Sequence, residues 1–266
     1  MPLRIGFAAT APFGADVLER LAARRDIAFC LTRPDRPAGR GLRLDPPPAK
    51  VAADKLGIAV LQPERLDETV ELPADTIVTC AYGAIVPAGL LERHLWLNVH
   101  PSLLPRWRGA APVERAIMAG DTETGVTVIK LTEELDAGPI AAQQALSIEP
   151  DDDAGAVYRR SAEITVDLLE DVLENPVFHD QRGDGATYAE KLTAADRELN
   201  LDADAEESLR RIRALSPHIG ARAELDGRLA TIWQARVEDG KLVPEIVQAE
   251  GRRRMPYEDF LRGLRT

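Results

Sequence analysis

Three side chains in this sequence have the types and spacing to add a nucleophile to a carbonyl carbon. Asn98 and His100 stand two residues apart in Asn-Val-His-Pro-Ser-Leu-Leu-Pro (98–105), and Asp136 follows within Leu-Asp-Ala-Gly-Pro (135–139). An amide N–H and an imidazole aimed at one oxygen can hold a developing oxyanion, while a carboxylate manages the proton. Taken singly, each residue has a duller explanation. A lone His near a strand end is more often structural, and a lone Asp before Ala-Gly is most often a turn residue. It is the set that points to chemistry.

The set needs elements to hold it. Leu95-Trp96-Leu97 is apolar enough for a strand, and in a strand residues i and i+2 face the same side. Pro101 and Pro105 then break the run, so Asn98 and His100 fall where a strand becomes a loop, the place where open α/β sheets bind ligands. Residues 3–9, 26–32, 75–80 and 95–99 read as strands, with helices at about 14–24, 48–56 and 112–119 between or after them. Further strands are expected at 125–131 and 140–148, and a long helix at 153–174. Strands alternating with helices predict an α/β fold with a doubly wound, mostly parallel sheet.

The texture changes after Pro176. Residues 180–186 form a polar, Gly-containing connector, and 205–215 read as one helix. Short alternating strands follow at 221–225, 229–233 and 242–247, with Asp226-Gly227 as a hairpin signal between the first two. A small β-rich second domain is expected after about residue 205. Residues 33–49 show no hydrophobic period and read as a long loop, with Arg33, Arg36, Arg40 and Arg43 giving it a net charge of +2. Its arginines suit an electropositive flap over an anionic substrate. The first turn, Ala8 to Gly14, is not a G-x-G-x-x-G phosphate loop.

At 266 residues the chain can bury one full core and a smaller second one. No apolar run approaches the roughly 20 residues of a membrane span, and no signal-peptide pattern precedes Leu3. A cytoplasmic protein without a membrane is therefore expected, with Cys30 and Cys80 as buried thiols. The net charge of −11 excludes a generally basic nucleic-acid binder. It is uneven: residues 1–199 hold 32 acids against 21 bases, while 200–266 hold 12 of each. Arg252–Arg254 form a local basic run that could meet a nucleic-acid backbone or simply be solvated. His94, His179 and His218 show no metal-ligand spacing, so no metal is expected.

With these residues in view, the chain resembles the folate-dependent formyltransferases over nearly its whole length. Asn98-x-His100-x-Ser-Leu-Leu-Pro with the later Leu-Asp-x-Gly is similar to that superfamily's signature. Arg33-Pro-Asp-Arg-Pro-Ala-Gly-Arg-Gly41, Leu104 to Pro112, Thr187-Tyr-Ala-Glu-Lys-Leu192 and Arg254 to Gly263 resemble the branch that formylates charged initiator tRNA. The resemblance implies a formyltransferase domain (1–178), a linker (179–204) and a reduced, OB-like β-barrel domain (205–266). It implies 10-formyltetrahydrofolate as formyl donor, initiator methionyl-tRNA as acceptor and a monomer. Asn98, His100 and Asp136 match the catalytic trio; Ser102, Leu103, Leu104 and Pro105 match the folate-contacting segment. Ala81, Tyr82 and Gly83, with the turn from Leu135 to Gly138, would wall the pterin. Arg40, among Arg33, Arg36 and Arg43, matches a flap arginine facing the aminoacyl end.

The chain also departs from that pattern. Residues 205–266 are shorter than the family's usual C-terminal domain, as if two barrel strands were missing. The Ala9-Thr10-Ala11-Pro12-Phe13 turn replaces a Gly-Thr-Pro type, and Ser216 to Arg222 lacks the usual tryptophan. A nucleotide-sugar N-formyltransferase would keep the trio and change the acceptor; the arginine loop weighs against it. A formate-releasing hydrolase is expected to carry a regulatory domain ahead of Leu3, and a silent binding module has no need of all three polar residues.

Overall fold

The computed structural model describes residues 3–38 and 43–263. The first half runs β1 (Ile5–Ala9), α1 (Pro12–Ala22), β2 (Ile27–Leu31), β3 (Arg36–Ala38), β4 (Arg43–Asp45), α2 (Pro48–Leu56), β5 (Val60–Leu61), β6 (Thr76–Cys80), α3 (Ala88–Arg93) and β7 (Leu95–His100). The middle continues with β8 (Arg108–Gly109), α4 (Pro112–Ala119), β9 (Glu123–Lys130), β10 (Ile140–Ser147) and α5 (Ala154–Glu174). The remainder holds β11 (Tyr188–Ala189), α6 (Ala194–Arg197), α7 (Ala205–Leu215), β12 (Ala221–Leu225), β13 (Arg228–Glu238), β14 (Lys241–Ala249), β15 (Met255–Pro256) and α8 (Tyr257–Arg262).

Helix starts follow backbone chemistry. α1, α2 and α4 each begin at a proline, whose missing N–H costs nothing in the first turn. α2 and α4 end at Gly57 and Gly120, both in the left-handed conformation that a glycine adopts freely. β1 and β6 are buried at every residue, as strands covered on both faces must be.

The seven-stranded sheet has the order β10-β9-β7-β6-β1-β2-β5. β7, β6, β1, β2 and β5 are parallel, and β9 runs antiparallel to β7. The doubly wound, mostly parallel sheet expected from the sequence is therefore present. β1 continues to β2 on one side and adjoins β6 on the other, so the order reverses beside β1. The open ends of β1, β6 and β7 face that switch point, and it is there that α/β sheets leave a crevice. One core cluster has Phe29, Leu31, Ile77, Leu90 and Trp96 among its members.

Cα proximity divides the chain into two compact units, residues 1–108, 125–146 and 159–187, and residues 109–124, 147–158 and 188–266. Segments 109–124 and 147–158 group with the C-terminal part, in which α4 lies against α7. The second unit centres on an antiparallel sheet of order β12-β13-β14-β15, the form taken by the expected reduced barrel. Its two hairpins turn on Asp226-Gly227 and Asp239-Gly240, all four residues at positive φ. That is the two-residue turn matching the twist of paired strands. Buried and exposed residues alternate along β12, and Ala221, Ala223 and Leu225 join Ile232, Val247, Ile212 and Phe260 in one core.

Within this unit Arg115 donates to Asp196 at 2.6 Å, and Asp196 also accepts from the Thr193 main chain and hydroxyl at 2.7 and 2.8 Å. The Arg115 guanidinium, helped by Thr193, holds the Asp196 carboxyl down at about 2. A depressed carboxyl stabilises the fold above the ordinary carboxylate range and loses that contribution as pH falls through 2. Asp196→Asn is thus expected to cost about 1–2 kcal/mol at neutral pH. Urea midpoints of wild type and variant should differ at pH 7 and converge as the pH approaches 2.

The 33–49 stretch differs from its expected form. Residues 36–38 and 43–45 pair as a two-stranded ribbon, Arg36 opposite Asp45 and Pro37 opposite Leu44. Three-residue strands are too short to leave a hydrophobic period, so composition alone reads as loop. The ribbon's base is tied down: Lys50 and Gln62 both donate to Asp35, at 2.7–2.9 Å, and the Lys50 ammonium keeps that carboxyl below its usual range. No helix among the described residues is long and apolar enough to cross a membrane.

Candidate active site

The polar trio is assembled at the mouth of β7, entirely within the first unit. Asn98 and His100 leave β7 on one face, and Asp136 reaches both: Asn98 Nδ2 donates to Asp136 Oδ1 at 3.3 Å, and His100 Nε2 lies 3.2 Å from Oδ2. His100 and Asp136 are buried, so their interaction is little screened by solvent.

Each member is oriented by a partner. Thr79, directly opposite Asn98 in the β6–β7 register, donates its hydroxyl to Asn98 Oδ1 at 2.7 Å. With the amide oxygen occupied, the Asn98 N–H groups face Asp136 and the crevice. Ser102 Oγ donates to the Arg106 carbonyl at 2.7 Å, which spends its only proton. The His100 Nδ1 contact with Ser102 Oγ, at 2.9 Å, then requires an N–H on Nδ1. Nε2 thereby becomes the nitrogen that meets Asp136.

The strand-to-loop segment is fixed as tightly. Thr127, the register partner of His100, donates to the Ser102 carbonyl at 2.6 Å and accepts from Leu104 N–H at 3.2 Å. Gln143 donates to the Leu104 carbonyl and to Thr127, at 2.9 and 2.8 Å. Leu103 lies over Gly125, where a Cβ would meet its Cδ2 at 2.5 Å. Ser102 and Leu104 are buried, while Leu103 and Pro105 are half-buried.

On the β6 side, Ala81 and Gly83 take left-handed conformations and are exposed, whereas Tyr82 is buried. Thr10 at the end of β1 donates to the Tyr82 carbonyl at 2.7 Å, and burial pushes the Tyr82 phenol up to about 12. On the other side Leu135 leaves 62% of its surface in solvent beside the buried Asp136. Gly138 closes this turn against β9, where a Cβ would fall 1.8 Å from the Lys130 carbonyl oxygen. Only glycine fits there.

The arginines divide. Arg33 is half-buried near Gly83, where an added Cβ would stand 4.0 Å from its Nη1, and Arg36 is exposed on β3. Arg40 lies outside the described residues, as does the side chain of Arg43. His94 Nδ1 sits 2.9 Å from the Ala74 carbonyl, a structural contact. Cys30 and Cys80 are buried and unpaired; burial pushes Cys30 up to about 12 and Cys80 well above the usual thiol range, so neither is a ready nucleophile. Among the described residues no three His, Cys, Asp or Glu side chains are arranged to hold a metal.

Five supporting residues had no site role in the sequence: Thr79, Thr127, Gln143, Arg108 and Gln181. Thr79 and Thr127 carry a weak signal, as hydroxyls inside otherwise apolar strands. The others carry none.

Comparison with known proteins adds to this geometry. The family model described as Formyl transferase matches residues 5–173. The methionyl-tRNA formyltransferase of Aromatoleum aromaticum is 39% identical over 99% of this chain and 95% of its own length. That of Halorhodospira halophila is 44% identical over 91% of this chain and 82% of its own. Among solved structures, WlaRD, a sugar 3N-formyl transferase crystallised with dTDP and 5-N-formyl-THF, superposes with a TM-score of 0.68 at 14% identity, covering 95% of this chain and all of that one. At that identity the likeness concerns the fold alone.

Proposed function

The chain belongs to the formyl transferase family, among the methionyl-tRNA formyltransferases, and we propose that it transfers the formyl group of 10-formyltetrahydrofolate to the α-amino group of methionyl-tRNA(fMet) for translation initiation. The observation that carries the proposal is the buried contact of Asp136 with both Asn98 and His100. A formyl carbon placed over it meets an amide donor, an imidazole and a carboxylate at once. The reaction takes place in the cytoplasm, where charged initiator tRNA is found.

The residues act as follows. As the neutral amine attacks the formyl carbon, Asn98 and His100 donate to the carbonyl oxygen and hold the negative charge that develops there. Asp136 takes the proton that the amine sheds and passes it to N10 as the carbon–N10 bond breaks. The products are the N-formyl amine and tetrahydrofolate, and no proton is left over. The turns at Ala81–Gly83 and Leu135–Gly138, with Ser102–Pro105, offer the donor's ring its walls; the exposed Leu135 beside a buried carboxylate suits such a wall. The chemistry uses no metal.

The same trio would serve a nucleotide amino-sugar as acceptor. Two features favour tRNA: the 39–44% identity to tRNA enzymes over most of both chains, and the arginine-rich sequence from Arg33 to Arg43. Incubation with the formyl donor and charged initiator tRNA, a nucleotide amino-sugar or no acceptor tests the reading. Rapid appearance of formylmethionyl-tRNA supports it, and a formylated sugar or free formate in its place overturns the acceptor. Arg33, Arg36, Arg40 and Arg43 are assigned to the tRNA, with Arg40 facing its aminoacyl end. Arg40→Ala is therefore expected to lower turnover on charged tRNA more than it weakens donor binding. Equal losses in tRNA turnover and donor affinity would mean that this loop shapes the folate site instead.

A further inference from the structure

Gln181 lies in the polar stretch 180–186 that the sequence presents as a connector, yet its amide belongs to the site. Its Nε2 donates to the main-chain oxygens of Asp136 and Gly138, both at 2.8 Å. Its Oε1 accepts from Arg108 Nη2 at 2.7 Å, and Arg108 is itself buried. One oriented amide thus grips both ends of the turn that carries the carboxylate.

That turn needs a grip. Among the described residues five other than glycine are left-handed: Ala81, Trp107, Asp136, Asp226 and Asp239. The last two are in hairpin turns that demand it. Asp136, at φ 48°, is the third residue of a turn closed by a long hydrogen bond, from Ala137 N–H to the Glu134 carbonyl at 3.4 Å; a positive φ belongs at that position but is taken there most readily by glycine or asparagine. Gly138 makes the close approach to β9 sterically possible, but a glycine cannot by itself hold its neighbour's backbone.

We infer that Gln181 is a positioning residue for the transfer reaction: by clamping the carbonyls of Asp136 and Gly138 it keeps the Asp136 carboxylate on His100 and Asn98. The inference rests on the proposed reading of the trio, and it is specific about the atoms. Glu at this position keeps the length and the partner for Arg108 but has no N–H to give either carbonyl. Without the clamp the turn is held less tightly, and the carboxylate moves away from Nε2.

The test is a double-mutant cycle combined with a spectroscopic reading. Gln181→Glu is expected to lower kcat about 10- to 100-fold, with Tm within about 3 °C of wild type, because the side chain is only half-buried. In an Asp136→Asn background the same change is expected to cost less than about twofold more, since its only route to the chemistry is gone. In 15N-histidine-labelled protein, with His100 assigned by its own substitution, the His100 ring resonances should move on Gln181→Glu at constant pH. A kcat loss under about tenfold, an equal loss in both backgrounds, or unmoved His100 resonances would overturn the inference. The resonance needs no acceptor. Should the wild type formylate another amine, or none, the functional reading fails while the His100 signal still decides the role of Gln181.

Discussion

Asp136→Asn is expected to lower kcat about 100- to 10,000-fold, the range spanned by a lost general acid–base. Asn has the volume of Asp, and the Gln181 amide bonds to the main chain at residue 136, so the turn should survive. What disappears is the group that can take the amine proton and return it to N10. The partnership with His100 changes as well. Nδ1 stays committed to Ser102, and Nε2 now faces a neutral amide in place of a carboxylate. Donor KM should stay within about threefold of wild type, because a neutral amide removes a transition-state role rather than a binding contact. Initial rates with a thermal melt check this. Activity within threefold of wild type would remove Asp136 from the proton path.

Asn98→Ala is expected to lower kcat about 100- to 1,000-fold, the cost of deleting one oxyanion donor, or about 3–4 kcal/mol of barrier. The amide is held rigidly enough to act this way. Thr79 takes its oxygen and Asp136 one of its N–H groups, so the donor faces the crevice before substrate arrives. Alanine there leaves Thr79 its second contact, the Leu97 carbonyl at 3.3 Å, and the strand should keep its register. A variant within threefold of wild type, with an unchanged melt, would mean that His100 holds the oxyanion unaided.

How much of this was legible in the sequence follows from what each residue answers to. The central sheet was readable because buried parallel strands are short, mostly apolar runs, as at Ile5–Ala9 and Thr76–Cys80. α2, α4 and α7 were readable to the residue, since prolines or Asp204 start them and glycine or a hairpin-bound stretch follows. The meeting of Asn98, His100 and Asp136 was foreshadowed by the i, i+2 spacing at a strand end together with a second motif. The supports were not. Gln181 is indistinguishable in composition from a solvated linker residue, because its value comes from a turn 43–45 positions away. Arg108 is buried through tertiary contacts that a Trp-Arg-Gly tripeptide does not announce. The ribbon of 36–38 and 43–45 was hidden by its brevity, and short elements such as α3 and α6 leave no period to detect.

The central claim is that Asn98, His100 and Asp136 carry out the transfer step rather than bind the donor. Single-turnover formyl transfer to methionyl-tRNA, at saturating donor, tests it most directly when run on wild type and Asn98→Ala beside the Kd of each for 5-formyltetrahydrofolate. The expected result is a chemical step slowed about 100-fold or more with Kd unchanged within about twofold. An unchanged chemical step with weakened donor binding would contradict it and make the site a folate cradle whose catalytic groups lie elsewhere.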